Sequence, residues 1–490
     1  MPGPPSDVSV PAIESPIVVA SNRGPVSFER DDGGTLVPRR GSGGLVTALS
    51  SVFFRDDITW VSAAMTEGDH EAAETGVDVT AETGIRVRFV RIAPDVYDAY
   101  YNRIANGVLW FLHHYLWDLP RSPVFGDDTA RDWQAYEEAN RAFAAVLAQV
   151  TGDEPVYLIQ DYHLALVPAM LRELRPDAKI VHFSHTPFAG ATYMRALPVG
   201  MRAAILRGMA GADVVGFQSR TWAENFLLSC RSLAGVRVDL RRWRVSDGTH
   251  TAAVRTFPVA VNAAEIRQTA ADPEVRAMRA EVERERGGLA LLLRVDRLEP
   301  TKNILRGFLA YELFLERNPA WRGRVRFLSL LSPSREDVPA YRDYGQECLA
   351  EADRINACLG GDGWAPIDVR VQEDYRYAVA AYGAYDALLV NPVYDGMNLV
   401  AMEGPLVNRR RGALILSRNA GAYGRLGRQA LAINPFDLSE TAEAIRAALE
   451  MPADERARRA RGLSRTIQAH TPATWLTEQL EAVDRIRPAA

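Results

Sequence analysis

Short runs of β-branched and aliphatic residues, bounded by turn formers, recur along the chain and predict buried strands. They are IVVAS (17–21), VYLIQ (156–160), IVHFS (180–184), VVGFQ (214–218), LALLLRV (289–295), VRFLSLL (325–331), IDVRV (367–371), ALLVN (387–391), ALILS (413–417) and ALAIN (430–434). Between them lie segments with apolar residues at helical spacing, such as RDWQAYEEANRAFAAVLAQV (131–150) and EIRQTAADPEVRAMRAEVERER (265–286). Apolar strands alternating with amphipathic helices are the pattern of a parallel sheet covered on both faces. The strands are too many for one such sheet. The pattern therefore predicts an α/β chain of two Rossmann-like, doubly wound halves, with the break near Pro258.

Composition narrows the function classes. The chain has 490 residues, 47% of them hydrophobic, enough for two or three domains each with its own core. A net charge of −5 disfavours a nucleic-acid or anionic-membrane surface. Cys230, Cys348 and Cys358 are odd in number and lack disulfide or metal spacing, which suits a reducing, cytoplasmic setting. Residues 1 to about 15 read as a loose tail with no apolar signal region, and no stretch has the length of a membrane-spanning helix. Only Lys179 and Lys302 are lysines; every other member of the Lys+Arg total of 57 is arginine. A lysine is thus a departure from this chain's usual cation.

Candidate chemistry gathers where strands end. After ALLVN comes YDGMNLVAMEG (394–404), so a buried strand leads into an Asp-Gly turn and a helix carrying Glu403. Ligands of open α/β sheets sit at the carboxyl ends of strands. Backbone N–H groups there favour an anion, while Asp395 and Glu403 accept hydrogen bonds, for example from sugar hydroxyls. A ligand that is phosphate in one part and polyol in another, such as a nucleotide sugar, meets both demands. A helix-capping turn accounts for Asp395 but not for a glutamate eight residues on. Arg297 and Lys302 follow LALLLRV in the same way; Arg297 alone suits a surface salt bridge equally, and the scarce lysine favours phosphate. The loop RRGSGGLVTAL, with Gly43 and Gly44, permits close backbone approach to phosphate, or is a hairpin tip.

Taken in order, SNR (21–23), GGLVTAL (43–49), YYNRIANGVLW (100–110), DYHL (161–164), SHTPF (184–188), GFQ (216–218), RVDRLEPTKN (294–303), SPSR (332–335) and DGMNLVAMEGPLV (395–407) resemble the trehalose-6-phosphate synthases. The resemblance runs from about residue 17 to 475. It implies the GT-B fold, two Rossmann-like domains facing across a cleft, and transfer of glucose from UDP- or GDP-glucose to glucose 6-phosphate with retention. It also implies an acceptor domain over 16–258, a nucleotide-sugar domain over 259–472 and a C-terminal helix, 473–490, returning to the first domain. No metal and no cofactor are implied, and a separate phosphatase would act on the product. A homo-oligomer is left open, and so is the nucleobase.

By the same resemblance Arg297 and Lys302 hold the diphosphate, and Glu403 accepts from the ribose. Asp395, Gly396, Met397, Asn398, Leu399 and Val400 hold the transferred sugar and touch phosphate, with Gly43 and Gly44 completing the donor set. Arg23, Tyr101, Trp110 and Arg335 grip the acceptor, while Asp161 and His185 meet the two sugars and join Arg297 and Lys302 as catalytic groups. Tyr101 and Trp110 suit a core equally well, and a lone histidine such as His185 is more often structural. The chain departs from the family at Ala63, Gln160, Tyr394 and Met402. Three alternatives stand beside the synthase. They are a pseudo-glycosyltransferase joining an activated cyclitol to an amino-cyclitol phosphate, a non-catalytic regulatory homologue, and a dinucleotide-dependent oxidoreductase. The last would want G-x-G-x-x-G where SNRGPV stands.

Overall fold

A computed structural model describes residues 15–31, 34–40, 58–75, 86–150 and 154–486. The chain divides into two compact units, residues 1–259 with 472–490, and residues 260–471. The first holds β1 (Ile17–Ser21), β2 (Val26–Arg30), β3 (Leu36–Arg40), β4 (Ile58–Ala63), β5 (Arg86–Val90), β6 (Val156–Gln160), β7 (Lys179–Ser184), β8 (Val214–Phe217), β9 (Arg237–Asp239), β10 (Arg244–Ser246) and β11 (Thr251–Thr256). The second holds β12 (Ala290–Arg297), β13 (Val325–Ser332), β14 (Ile367–Val371), β15 (Ala387–Val390), β16 (Ala413–Ser417) and β17 (Leu431–Ile433).

The first sheet has the order β5-β4-β1-β6-β7-β8-β11-β10-β9 and is parallel from β5 to β11. The second, β14-β13-β12-β15-β16-β17, is parallel throughout. In both, chain order reverses beside the first strand, between β1 and β6 and between β12 and β15. Those two reversals are topological switch points, where adjacent crossovers leave in opposite directions and open a crevice at the strand ends.

Burial explains which strands the hydrophobic pattern revealed. β1, β6, β7 and β16 are buried at every position, so both faces are largely apolar. Among the strands it missed in this sheet, β5 (RVRFV, with alternating exposure) and β9 (RVD) are the two edges, β10 (RVS) is a three-residue strand between β9 and β11, and β4 and β11 are interior. The hairpin β2–β3 pairs outside the main sheet. The expected helix over 265–286 is two, Ala263–Ala271 and Pro273–Arg286. Pro273 lacks the N–H needed to continue the first helix, and Asp272 caps the second by accepting from Glu274 N at 2.9 Å. The last helix, Pro472–Ile486, packs on the first sheet; its Trp475, wholly buried, donates from Nε1 to Phe257 O at 3.0 Å.

Candidate active site

The second unit concentrates charge at its switch point. Past β12 the chain turns through Glu299 and a short 3₁₀ turn, Pro300–Lys302, and past β15 it runs through Asp395–Leu399 into the helix Val400–Val407. Lys302 Nζ donates to Asp395 Oδ2 at 2.6 Å, with both side chains largely buried. Asn398 Nδ2 donates to the same oxygen at 3.2 Å, and Asn398 Oδ1 accepts from Ala401 N. The helix is therefore capped by Asn398, and Asp395 is held by the lysine. Asn398 takes the left-handed conformation at φ 75°. This loop lies tightly on the next one: Gly421 N donates to Asp395 O at 3.1 Å, and a Cβ at Gly421 would meet Gly396 O at 1.8 Å. Only glycine fits there.

Beneath this loop lies a layer of buried charge. Arg294, wholly buried, donates to Lys302 O at 3.1 Å, hydrogen-bonds to Asn391 and stands 3.5 Å from Asp296. Burial pushes the Asp296 carboxyl up to about 6 against the pull of Arg294 and Lys302. Lys302 is also buried, which disfavours its charge, yet Asp395 and Glu299 outweigh that and raise its pKa. Lys302 is thus held charged.

Glu403 is buried in the first turn of its helix and accepts from Tyr382 OH at 3.3 Å. Burial raises its carboxyl to about 7, more than Tyr382's hydrogen bond lowers it. An acid whose folded pKa lies above its unfolded value destabilises the fold once it is ionised. Between an unfolded value near 4.5 and about 7 the cost grows toward about 3 kcal/mol. Glu403→Gln removes it, so the variant should melt progressively higher than wild type as pH rises from 5 to 8. Thermal unfolding at both pH values checks this, and a pH-independent gap in Tm would refute it.

The first unit builds its own cluster at the β1/β6 switch point. Trp60 Nε1 donates to Ser21 Oγ at 2.8 Å, and Ser21 Oγ donates to Arg23 O at 2.6 Å, fixing the turn that carries Arg23. Arg23 Nη2 donates to Tyr101 OH at 3.3 Å, and its guanidinium lies 5.9 Å from the ring centroid. Tyr101 stacks between Tyr97 and His163, with centroids at 5.5 and 5.6 Å. It projects from a continuous helix, Pro94–His113, whose central part, Ala99–Leu109, is π-helical. Such widened turns are frequent at functional sites.

Asp161 follows β6 at φ 71°, unusual for an aspartate, and its Oδ1 accepts from His185 N at 3.2 Å. His185 Nε2 and Gln160 Oε1 are hydrogen-bonded at 2.9 Å. Burial, then the neighbouring His182, pushes His185 down to about 3, so it stays neutral at ordinary pH. Trp110 sits deeper, 6% exposed and stacked at 4.0 Å on His114. The structure thus brings Arg23, Tyr101, Asp161 and His185 to the ends of β1, β6 and β7 or the helix beside them, with Trp110 in the wall. It brings Arg297, Lys302, Arg335 and the 395–403 segment to the strand ends of the second unit. Gly43 and Gly44 lie outside the described residues.

Residues 15–485 match glycosyltransferase family 20. The chain belongs to that family. It is 34% identical over 480 residues to the trehalose-6-phosphate synthase of Mycobacterium leprae, covering 96% of this chain and 95% of that one. It is 32% identical over 486 residues to the validamine 7-phosphate valienyltransferase of Streptomyces hygroscopicus subsp. jinggangensis, at 96% and 94% coverage. A probable UDP-forming α,α-trehalose-phosphate synthase of Arabidopsis thaliana is 31% identical over 485 residues. That match takes 96% of this chain but spans only 57% of the plant protein. Among solved structures, one of trehalose-6-phosphate synthase type from E. coli, bound with UDP-2-fluoro glucose, superposes at TM-score 0.81. Its identity is 27%, with 97% of this chain and 99% of that one covered. The family 20 chain has the GT-B fold of two Rossmann-like domains.

Sequence reasoning missed several groups at these sites. Glu299, Arg294, Asp296 and Tyr382 are all buried or nearly so around the second switch point, and His163 stacks on Tyr101. The available signal was a carboxylate directly between Arg297 and Lys302 in RLEPTK, where repulsion of two cations calls for an anion.

Proposed function

We propose that this family 20 glycosyltransferase moves glucose from UDP-glucose to glucose 6-phosphate with retention, giving trehalose 6-phosphate. The observation that carries the proposal is the set at the β12/β15 switch point. Two cations, Arg297 and Lys302, stand with two hydroxyl acceptors, Asp395 and Glu403, where a doubly wound sheet receives its ligand. The UDP-forming relative and the UDP-2-fluoro glucose in the E. coli structure support uridine over guanosine.

In this reading negative charge grows on the departing diphosphate while the sugar becomes oxocarbenium-like. Fixed cations beside that phosphate stabilise the transition state more than the ground state. Lys302 would leave Asp395 for the phosphate, freeing that carboxylate for sugar hydroxyls. The acceptor hydroxyl attacks from the leaving-group face, and the departing phosphate oxygen takes its proton, so no protein nucleophile is needed. In the second unit Arg335 would hold the acceptor phosphate; in the first, Arg23 and Tyr101 would take part in acceptor binding, and Asp161 and His185 in binding the sugars. Since Arg297 and Lys302 supply the positive charge, turnover should survive excess EDTA; loss of activity restored by magnesium or manganese would contradict this.

The Streptomyces relative favours one second reading, transfer of an activated cyclitol to an amino-cyclitol phosphate. Gln160, one of the departures from the synthase pattern, is hydrogen-bonded to His185 at 2.9 Å. Incubation with UDP-glucose and glucose 6-phosphate, with the product identified by NMR, decides between them. A 1,1-linked α,α-disaccharide phosphate supports the synthase, and absence of any glucosyl product sinks it.

A further inference from the structure

Glu299 is wholly buried, and three donors converge on its carboxylate. Arg297 Nη2 and Thr301 Oγ1 donate to Oε1 at 3.0 and 2.6 Å, and Ser334 Oγ donates to Oε2 at 3.3 Å. Its backbone is tied into the same turn, with Lys302 N donating to Glu299 O at 3.1 Å. One oxygen thus holds the arginine assigned to the diphosphate. The other holds the serine next to Arg335, the arginine assigned to the acceptor phosphate.

The Ser334–Arg335 turn needs such a tether. Arg335 lies at φ 47°, a conformation that L side chains adopt only when surrounding contacts impose it. Its guanidinium is aimed by Tyr341, whose OH accepts from Nη1 at 2.8 Å and whose ring lies 5.5 Å away. Burial disfavours ionisation of Glu299, but Arg297, Lys302 and Arg335 outweigh it and hold the carboxyl below its usual range. The group is therefore a fixed anion at neutral pH, compensating three cations that are expected to face phosphate.

We propose that Glu299 is a positioning residue shared by the donor and acceptor phosphate sites, setting Arg297 with one carboxylate oxygen and the Ser334–Arg335 turn with the other. The proposal rests on the synthase reading above. Glu299→Gln tests it, because an amide offers one acceptor oxygen where the carboxylate offers two. One of the two partners then meets an N–H instead, and the other keeps an oxygen but loses the negative charge that strengthened its bond.

Two readouts separate the sites. The ratio of kcat/KM for glucose 6-phosphate over glucose reports Arg335, and the rate of UDP-glucose hydrolysis without acceptor reports Arg297. In Glu299→Gln both should fall, each by about 10-fold or more, the effect of losing one hydrogen bond to a charged group. Glu299→Asp keeps the charge but is one methylene shorter, and should lower both by smaller factors; it serves as the test if the glutamine variant does not fold. A fall in one readout alone overturns the shared role, and a fall in neither overturns positioning altogether. If the wild type glucosylates neither acceptor, the synthase reading fails separately. Calorimetric affinities for UDP and glucose 6-phosphate then decide: loss of both in the variant supports the shared tether, and loss of one or neither overturns it.

Discussion

Lys302→Ala is expected to lower kcat by roughly 10²–10³, the range for deleting one preorganised electrostatic contact to a developing charge. Two features of the structure make the effect large. Lys302 is largely buried, so water cannot replace its charge cheaply, and Asp395 and Glu299 keep it protonated. Its removal also leaves Asp395 without a cation at 2.6 Å. The sugar-binding loop should loosen as the leaving group loses stabilisation. Lys302→Arg should recover little, because a planar fork does not fit a point-charge contact in the crowded space over Arg294. Steady-state kinetics with saturating substrates check the value, alongside Tm to separate folding from catalysis. Near-normal kcat in Lys302→Ala would remove the lysine from the chemistry.

The second large effect is expected at Arg335, and it tests whether the acceptor carries a phosphate. A hydrogen bond to a charged group contributes about 1.5–3 kcal/mol, so Arg335→Ala should weaken kcat/KM for glucose 6-phosphate by roughly 10- to 200-fold. Free glucose should be a poor acceptor for the wild type, and the variant should narrow the gap by losing only the phosphorylated substrate. Donor KM should stay within about threefold, since Arg297 and Lys302 remain in place. Tyr341→Phe offers a graded control. It leaves the guanidinium its ring contact but removes the hydroxyl that accepts from it at 2.8 Å, so a smaller loss in the same direction is expected. Lower donor affinity in Arg335→Ala, or equal use of glucose and its phosphate, would take this arginine out of acceptor recognition.

Much of the architecture was legible along the chain because buried parallel strands are largely apolar on both faces. IVVAS, VYLIQ, IVHFS and ALILS could be read with no knowledge of their neighbours. Strand ends then located the chemistry, since a switch point follows from strand order and the residues after β12 and β15 follow from the sequence. The edge strands β5 and β9, and the three-residue β10 beside β9, escaped because a short or exposed, arginine-bearing strand has no distinctive apolar signal. β4, buried along its whole length, escaped because ITWVSA mixes polar with apolar residues.

What no local pattern determined is the charge state and pairing of the site. That Asn398 rather than Asp395 caps the helix depends on Lys302, which lies 93 residues away in sequence and claims the aspartate. The raised carboxyls of Asp296 and Glu403 come from desolvation, a property of the packed interior and not of the residue. Glu299 reads as one more acid in a charged turn until β13 places Ser334 against it. By itself the sequence determined most of the buried parallel strands and the identity of the groups at their ends. The tertiary structure alone decided which groups are dry and which share a proton or a partner, because hydrogen bonds and desolvation act over a few ångströms and not along the chain.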